Sequence, residues 1–188
     1  MSKTVVFLIV LIITGIIFAQ VRYSDYANLT MKVLDVAPEQ PKEEVVKTKK
    51  EWQEQLSEVE FHVLRDAGTE PPHSSIYKDF AKHGTGEYYC VACGANLFSS
   101  KTKFDSGSGW PSFYDAVHDN IKLDVDYKIG YKRTEIRCGK CDSHLGHLFE
   151  GEDYGNPINN RYCINGVCLS FLPSEEGEDS DSTEKETK

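Results

Sequence analysis

Cys90-Val91-Ala92-Cys93 and Cys138-Gly139-Lys140-Cys141 are two Cys-x-x-Cys knuckles in a chain of 188 residues. Glycine follows Cys93 and also lies inside the second knuckle, where it permits a tight turn that brings backbone N–H groups toward the thiolates. Four thiolates are the ligand set of tetrahedral structural zinc, and they leave no position open for metal catalysis. Because a long stretch of chain separates the knuckles, the metal would tie distant parts of one domain together.

Disulfide bonds are the alternative for these cysteines, and a secretory route would favour them. A bridge within one knuckle is strained, however, and it would add little stability to a domain that has its own core. The sequence therefore favours one structural Zn²⁺ per chain, held by Cys90, Cys93, Cys138 and Cys141.

The segments around the knuckles predict a mainly β fold. Runs rich in β-branched and aromatic residues lie at 87–91, 128–137 and 162–172, between Gly, Asn and Asp turns. The capping box Ser57-Glu58-Val59-Glu60 predicts a short helix that ends near Arg65, before a Pro-Pro pair. We expect two small antiparallel β-sheets with a short N-terminal helix, stapled by the four-cysteine zinc site.

Composition divides the chain into four parts. Residues 1–20 hold an apolar run that would span about 22 Å as a helix, so we expect a signal peptide or, as the alternative, a retained signal anchor. We interpret residues 21–50 as a polar linker and 51–173 as the folded domain. Residues 174–188, with seven acids and two lysines, are expected to be a disordered acidic tail.

These parts and the charge limit where the protein acts and what it binds. The signal segment predicts the secretory pathway, either in the endoplasmic reticulum lumen or secreted, or membrane-anchored through residues 5–19. The net charge of -9 at pH 7 argues against nucleic-acid binding, since phosphate contacts need a basic face. We expect a monomer.

Cys163 and Cys168 remain after the four ligands are assigned. Arg161 lies two residues before Cys163, so both side chains would share one strand face, and a nearby cation lowers the pKa of a thiol. His144 and His147 follow the second knuckle and could be held over that face. From the residues alone, a thiol nucleophile and a buried inert cysteine with two turn histidines remain equally open.

Six segments match, in order, the motifs of one enzyme family. They are Gly-Thr-Glu-Pro-Pro at 68–72, the knuckle at 90–93, Phe-Asp-Ser-Gly-Ser-Gly-Trp-Pro-Ser-Phe at 104–113, the knuckle at 138–141, His-Leu-Gly-His at 144–147 and Arg-Tyr-Cys-Ile-Asn at 161–165. Together they extend over nearly the whole domain. The chain resembles the B-type methionine sulfoxide reductases, the peptide-methionine (R)-S-oxide reductases.

The resemblance implies an enzyme that reduces methionine-R-sulfoxide in oxidised proteins, in protein repair and oxidative stress defence. Cys163 would attack the sulfoxide sulfur as a thiolate and keep the oxygen as a sulfenic acid. His144 and His147 would orient the substrate and help to protonate its oxygen. Asn165 would hydrogen-bond in the site, and Arg161 would favour the thiolate.

The resemblance also implies a substrate wall. Trp110 would pack on the ε-methyl group of the substrate, because an indole face suits both sulfur and apolar area. Phe113, at the end of the same motif, belongs to the expected substrate-binding residues.

The expected recycling step departs from the family pattern. Many relatives carry a resolving cysteine where this chain has Ser108, so the usual intramolecular disulfide is absent. Cys168 would lie five positions from Cys163 on one strand, on the opposite face and about 16 Å away, so we expect a small buried residue instead. Thioredoxin, glutaredoxin or a small thiol would then reduce the sulfenic acid.

Two other functions remain open from the sequence. Zinc-bearing β-folds also exist as non-catalytic interaction modules, since fold does not determine function. A secreted thiol oxidoreductase could use the knuckle cysteines as redox pairs, although their spacing favours zinc ligands.

Overall fold

Three α-helices begin the domain in the computed structural model, which describes residues 21–174. They are α1 (Lys49–Gln55), α2 (Glu58–Asp66) and α3 (Ser75–Lys82). Thr48 and Ser57 start the first two with reciprocal capping boxes, as the sequence predicts for α2. The predicted helix is therefore confirmed, and two further helices flank it.

Nine strands form two sheets within residues 21–174. Their bounds are β1 (Lys32–Val33), β2 (Gly86–Cys90), β3 (Asn96–Ser99), β4 (Ser112–Phe113), β5 (Ile121–Asp126), β6 (Arg133–Cys138), β7 (His144–Glu150), β8 (Asn160–Ile164) and β9 (Leu169–Pro173). One sheet has the order β1-β9-β2-β3 and the other β4-β8-β7-β6-β5. Every pair is antiparallel except β1 with β9. The predicted mainly β fold with two sheets is confirmed.

The prediction of one strand at 162–172 is wrong, because the segment forms parts of two strands with a turn between them. β8 ends at Ile164, a 3-10 turn follows at Gly166–Cys168, and β9 continues in the other sheet. Glycine is needed in this turn, because a Cβ at Gly166 would lie 2.4 Å from the Ile76 side chain. Cys168 is fully buried in the turn and so is not five residues along the strand of Cys163.

The predicted strand at 128–137 is shorter than expected. β6 begins only at Arg133, and residues 127–132 form the turn of a hairpin with β5, a strand that the sequence did not predict.

The predicted polar linker at 21–50 is partly folded onto the domain. Tyr26 and Met31 are buried in the core, and β1 pairs with β9. The Val45 N–H donates to the Lys140 carbonyl, 2.6 Å away. Isolated apolar residues in a polar segment are enough to hold it here, because each buries its surface against an existing core.

An aromatic cluster fills the space between the sheets. The Phe113 ring from β4 stacks on Phe98 from β3 at 4.4 Å between centroids, and it contacts Tyr88 and Phe80 edge-on at 5.1 and 5.5 Å. Phe113 is fully buried there, which corrects its expected place among the substrate-binding residues. It supports β4 from the core side.

No helix within residues 21–174 is long and apolar enough to cross a bilayer. The predicted signal segment, residues 1–20, and residues 175–188 of the acidic tail lie outside the described residues.

Candidate active site and metal centre

The two knuckles meet where strands of different sheets end. Cys90 is the last residue of β2 and Cys138 is the last of β6. All four Sγ atoms lie within 4.8 Å of one another, with 3.8 Å between Cys90 and Cys141 and 3.6 Å between Cys93 and Cys138. A tetrahedral zinc ion with Zn–S bonds of about 2.3 Å places its sulfurs about 3.8 Å apart. The cluster can hold a metal ion, and its geometry fits zinc.

The metal centre would fix the start of β7. The Cys138 N–H donates to the Ser143 carbonyl, and the Arg65 guanidinium of α2 donates to the Cys141 carbonyl and to Ser143 Oγ at 2.9 and 3.0 Å. His144, the next residue, begins β7. The second knuckle therefore determines where both histidines of the His-Leu-Gly-His motif lie.

A cavity of about 170 Å³ opens on the five-stranded sheet and contains the partly exposed Cys163. Its walls are Thr69, Trp110, Arg133, Gly146, His147, Phe149, Cys163, Ile164 and Asn165. A larger cavity of about 550 Å³ beside α3 is lined by no cysteine. The smaller cavity thus combines four of the predicted residues: Cys163, His147, Asn165 and Trp110.

Strand register brings Cys163 and His147 together. In the β7–β8 ladder, His147 lies directly opposite Cys163, and on the other side Ser112 of β4 does so. Side chains opposite each other in antiparallel strands are about 5 Å apart at Cβ. A Cβ at Gly146 would lie 2.0 Å from the Cys163 carbonyl oxygen, so only glycine fits at this position, directly before His147.

Burial determines the state of the Cys163 thiol. It raises the pKa of Cys163 above its ordinary value, while Arg161 and a hydrogen bond with Ser108 lower it. Arg161 acts in the expected direction, but burial outweighs it, which corrects the expectation of a depressed pKa. Burial therefore favours the protonated thiol over the thiolate in the free protein. Ser108 therefore lies beside Cys163.

Arg161 is held on the same side of β8 as Cys163. It pairs with Phe149 across the ladder, and its guanidinium lies over the rings of Phe149 and Tyr154 at 4.1 and 4.9 Å. A guanidinium stacked in this way keeps its charge close to the cavity wall that Phe149 forms.

His147 is bonded to an acid that the sequence did not single out. Its Nε2 lies 2.8 Å from Asp126 Oδ2, and Asp126 forms an ion pair with Arg133 across the hairpin. Burial opposes ionisation of Asp126, but hydrogen bonds from the Lys128 N–H, His147 and Arg133 hold its pKa at about 2. Because the carboxylate only accepts, Nε2 carries the proton, and burial lowers the pKa of His147. His147 is thus neutral, with Nδ1 as its acceptor.

His144 lies behind His147 rather than on the cavity wall. Its Nδ1 is 2.6 Å from Glu135 Oε1, and its ring centroid is 5.4 Å from that of His147. The side chain is buried, and burial lowers its pKa. Within residues 21–174, Nε2 of His144 has no hydrogen-bond partner.

Glu70 ties three parts of the site together, and nothing in its sequence context beyond the Gly-Thr-Glu-Pro-Pro motif marks it. Its carboxyl accepts from the N–H groups of Gly166 and Val167 at 2.6 and 3.1 Å. Its N–H donates to Asn165 Oδ1 at 3.0 Å, and its carbonyl accepts from Trp110 Nε1 at 2.9 Å. Both Trp110 and Asn165 are therefore fixed by one residue.

Known proteins resemble this chain over most of its folded domain. The family model of the SelR domain matches residues 56–173. The chain is 45% identical over 134 residues to the peptide methionine sulfoxide reductase MsrB of Leifsonia xyli subsp. xyli, which covers 71% of this chain and 94% of that protein. It is 48% identical over 135 residues to MsrB of Methanosarcina barkeri, covering 71% and 92%, respectively. Peptide methionine sulfoxide reductase B5 of Arabidopsis thaliana is 45% identical over 130 residues, covering 69% and 91%.

Proposed function

Because this chain belongs to the SelR-domain family of MsrB methionine sulfoxide reductases, we propose that it reduces the R epimer of methionine sulfoxide in proteins through Cys163. Methionine sulfoxide reduction, an oxidoreductase activity, comes with the family; the stereochemistry, the nucleophile and the protein substrates belong to the proposal. The observation that carries it is the free thiol of Cys163 in a cavity walled by His147 and Trp110.

The proposed reaction transfers one oxygen atom. Cys163 Sγ attacks the sulfoxide sulfur and forms a transient bond to it; this bond and the substrate S–O bond then break as the oxygen becomes bonded to Sγ as a sulfenic acid. The substrate sulfur gains the two electrons that Sγ loses, and the proton that leaves the thiol ends on the transferred oxygen. Because the pKa of Cys163 is raised by burial, the proton must leave Sγ as attack begins.

We assign the proton transfers to His147. It lies opposite Cys163 in the ladder, it is neutral, and Asp126 fixes its Nε2 as the protonated nitrogen. Nδ1 is then the acceptor that can take a proton and return it to the sulfoxide oxygen. His144 acts as a support in this scheme, since it packs against the His147 ring from behind.

Trp110 is proposed to select the methyl end of the substrate. Its indole N–H is bonded to the Glu70 carbonyl, so the ring is held against the cavity. An aromatic face favours contact with a methyl group attached to sulfur.

We propose that an external thiol completes the cycle. Ser108 occupies the place beside Cys163, and its hydroxyl cannot form a disulfide. Cys168 is fully buried and donates to the His144 carbonyl at 3.5 Å. Two thiol groups from thioredoxin, glutaredoxin or a small thiol would convert the sulfenic acid to a thiol and water and leave as a disulfide.

Zinc is the proposed occupant of the four-cysteine cluster. Held by Cys90, Cys93, Cys138 and Cys141, it would supply a structural cross-link between the two sheets. The chemistry at Cys163 does not require it.

Action in the secretory pathway, as a secreted, luminal or anchored protein, remains a proposal that rests on the apolar run at 5–19. N-terminal sequencing of the protein purified from its native cells would reveal cleavage near residue 20 or an intact N-terminus.

Separate assays on dabsylated Met-R-sulfoxide and Met-S-sulfoxide with dithiothreitol test the proposed function. Wild type should reduce only the R epimer, and Cys163→Ser should have no activity above background. Cys168→Ser is the matched control and should retain activity on the R epimer. Reduction of the S epimer, or unchanged activity of Cys163→Ser, would overturn the proposal.

A further inference from the structure

The β5–β6 hairpin presents an apolar surface to solvent. Three large apolar side chains in its turn, which we call the apolar rim, are between 52% and 64% exposed: Tyr127, Ile129 and Tyr131. Leu123 and Val125 of β5 are also exposed, but strand alternation places them on the opposite face of the sheet from His147 and Cys163. Half of the exposed large apolar side chains within residues 21–174 thus lie on one hairpin. Such a concentration marks an interaction surface more often than scattered apolar residues do.

The apolar rim borders the Cys163 cavity. The residues at the two ends of its turn belong to the site, since Arg133 lines the cavity and Asp126 binds His147. Lys128 Nζ in the turn donates to the Ala67 carbonyl at 2.7 Å, two residues before the cavity residue Thr69. The turn is therefore fastened to two walls of the cavity.

The cavity itself leaves the rest of a substrate outside. A volume of about 170 Å³ accommodates one side chain, so the residues on either side of an oxidised methionine must rest on the surface around the opening. In addition, β5 is the last strand of its sheet, and within the described part of the chain only β6 pairs with it. An extended segment can add to such an edge through its own backbone groups.

We propose that the apolar rim is the docking surface for the protein substrate: an extended segment whose apolar or aromatic residues flank the oxidised methionine. This proposal rests on the proposed function and specifies its substrate class. The sulfoxide side chain enters the cavity while its neighbours contact the rim, so the rim selects among oxidised methionines by what surrounds them.

The ratio of kcat/KM for a peptide substrate to kcat/KM for a small substrate separates the contribution of the apolar rim from that of the catalytic residues. We would measure kcat/KM for a Met-R-sulfoxide peptide with Leu and Tyr on either side, and for N-acetyl-Met-R-sulfoxide, with dithiothreitol. The double variant Ile129→Ser/Tyr131→Ser should lower the peptide-to-small-substrate ratio about tenfold, since two apolar contacts are lost. The double variant Tyr23→Ser/Val36→Ser removes an exposed aromatic and an exposed aliphatic side chain away from the hairpin, and it should keep the wild-type ratio.

An unchanged ratio in the rim variant, or the same fall in the control variant, would overturn the docking proposal. A rim variant that loses binding to phosphatidylcholine and phosphatidylserine vesicles, while its kinetic ratio stays at the wild-type value, would overturn it in favour of a membrane contact. If wild type reduced neither compound, the proposed function would fail. Binding of a fluorescent form of the peptide to Cys163→Ser, with and without the rim substitutions, would still test the docking surface.

Discussion

Glu70 gives the folded protein a pH-dependent stability that can be measured. Its side chain is only 1% exposed, and burial raises its pKa from 4.5 to about 7, against the opposing hydrogen bonds from Gly166 and Val167. Between these two pH values the folded protein binds a proton that the unfolded chain has released. The free energy of unfolding must therefore fall as the pH rises through this window.

The size of the effect follows from the same two values. At about 1.4 kcal/mol per pKa unit, the interval from 4.5 to about 7 corresponds to about 3 kcal/mol. This stabilising contribution is fully present below pH 4.5 and is lost as the pH rises through 7. Glu70→Gln keeps the shape of the side chain but cannot ionise, so it removes this pH dependence. Relative to wild type, the variant should gain about 3 kcal/mol between pH 4.5 and pH 8.

Urea unfolding followed by tryptophan fluorescence at half-unit pH steps, with zinc present throughout, provides the measurement. Glu54→Gln, at an exposed position on α1, is the control and should follow the wild-type curve. Parallel curves for wild type and Glu70→Gln would refute the reasoning, because they would mean that Glu70 titrates alike in the folded and unfolded chain.

Three further predictions concern the nucleophile, the metal and the core. Ser108→Cys should form a disulfide with Cys163 after one turnover and make thioredoxin an efficient reductant; a peptide map without that disulfide would count against the geometry. Removal of the metal by a chelator, or Cys138→Ser, should abolish cooperative thermal unfolding and activity together, as calorimetry and the dabsyl assay would show. Activity that survives in metal-free protein would contradict a structural zinc site. Phe113→Ala should lower the free energy of unfolding by about 3–5 kcal/mol in urea titrations. A variant with wild-type stability and a raised KM would instead show that Phe113 binds substrate.

The sequence was sufficient for the features that depend on spacing. The two knuckles predict the four-sulfur cluster, because two ligands with only two residues between them on a tight turn must converge. The capping box at Ser57 predicts a helix start, because its hydrogen bonds are local.

Features that depend on register could not be predicted. Asp126 reaches His147 only because β5, β6 and β7 are neighbours in that order, and Glu70 meets Gly166 through a turn between sheets. No local pattern marks Asp126, and the Gly-Thr-Glu-Pro-Pro motif around Glu70 does not reveal which groups its carboxyl contacts. The β-branched run at 162–172 predicts one strand and so misses the turn at Gly166–Cys168, because strand propensity does not indicate where a chain passes from one sheet to the other.

The pKa of Cys163 shows a different limit. The neighbouring Arg161 is visible in the sequence, but the burial that outweighs it is a property of the folded sheet. The sign of the net shift therefore needed the structure.

A single turnover without any reductant tests the role of Cys163 most directly. Wild type incubated with excess Met-R-sulfoxide should form about one methionine per chain, and dimedone should then label Cys163 while Cys168 remains a free thiol. The amount of methionine and the labelled peptide would be measured by mass spectrometry. A disulfide between Cys163 and Cys168, or methionine formed with no sulfenic acid at Cys163, would contradict a lone nucleophile that is recycled from outside.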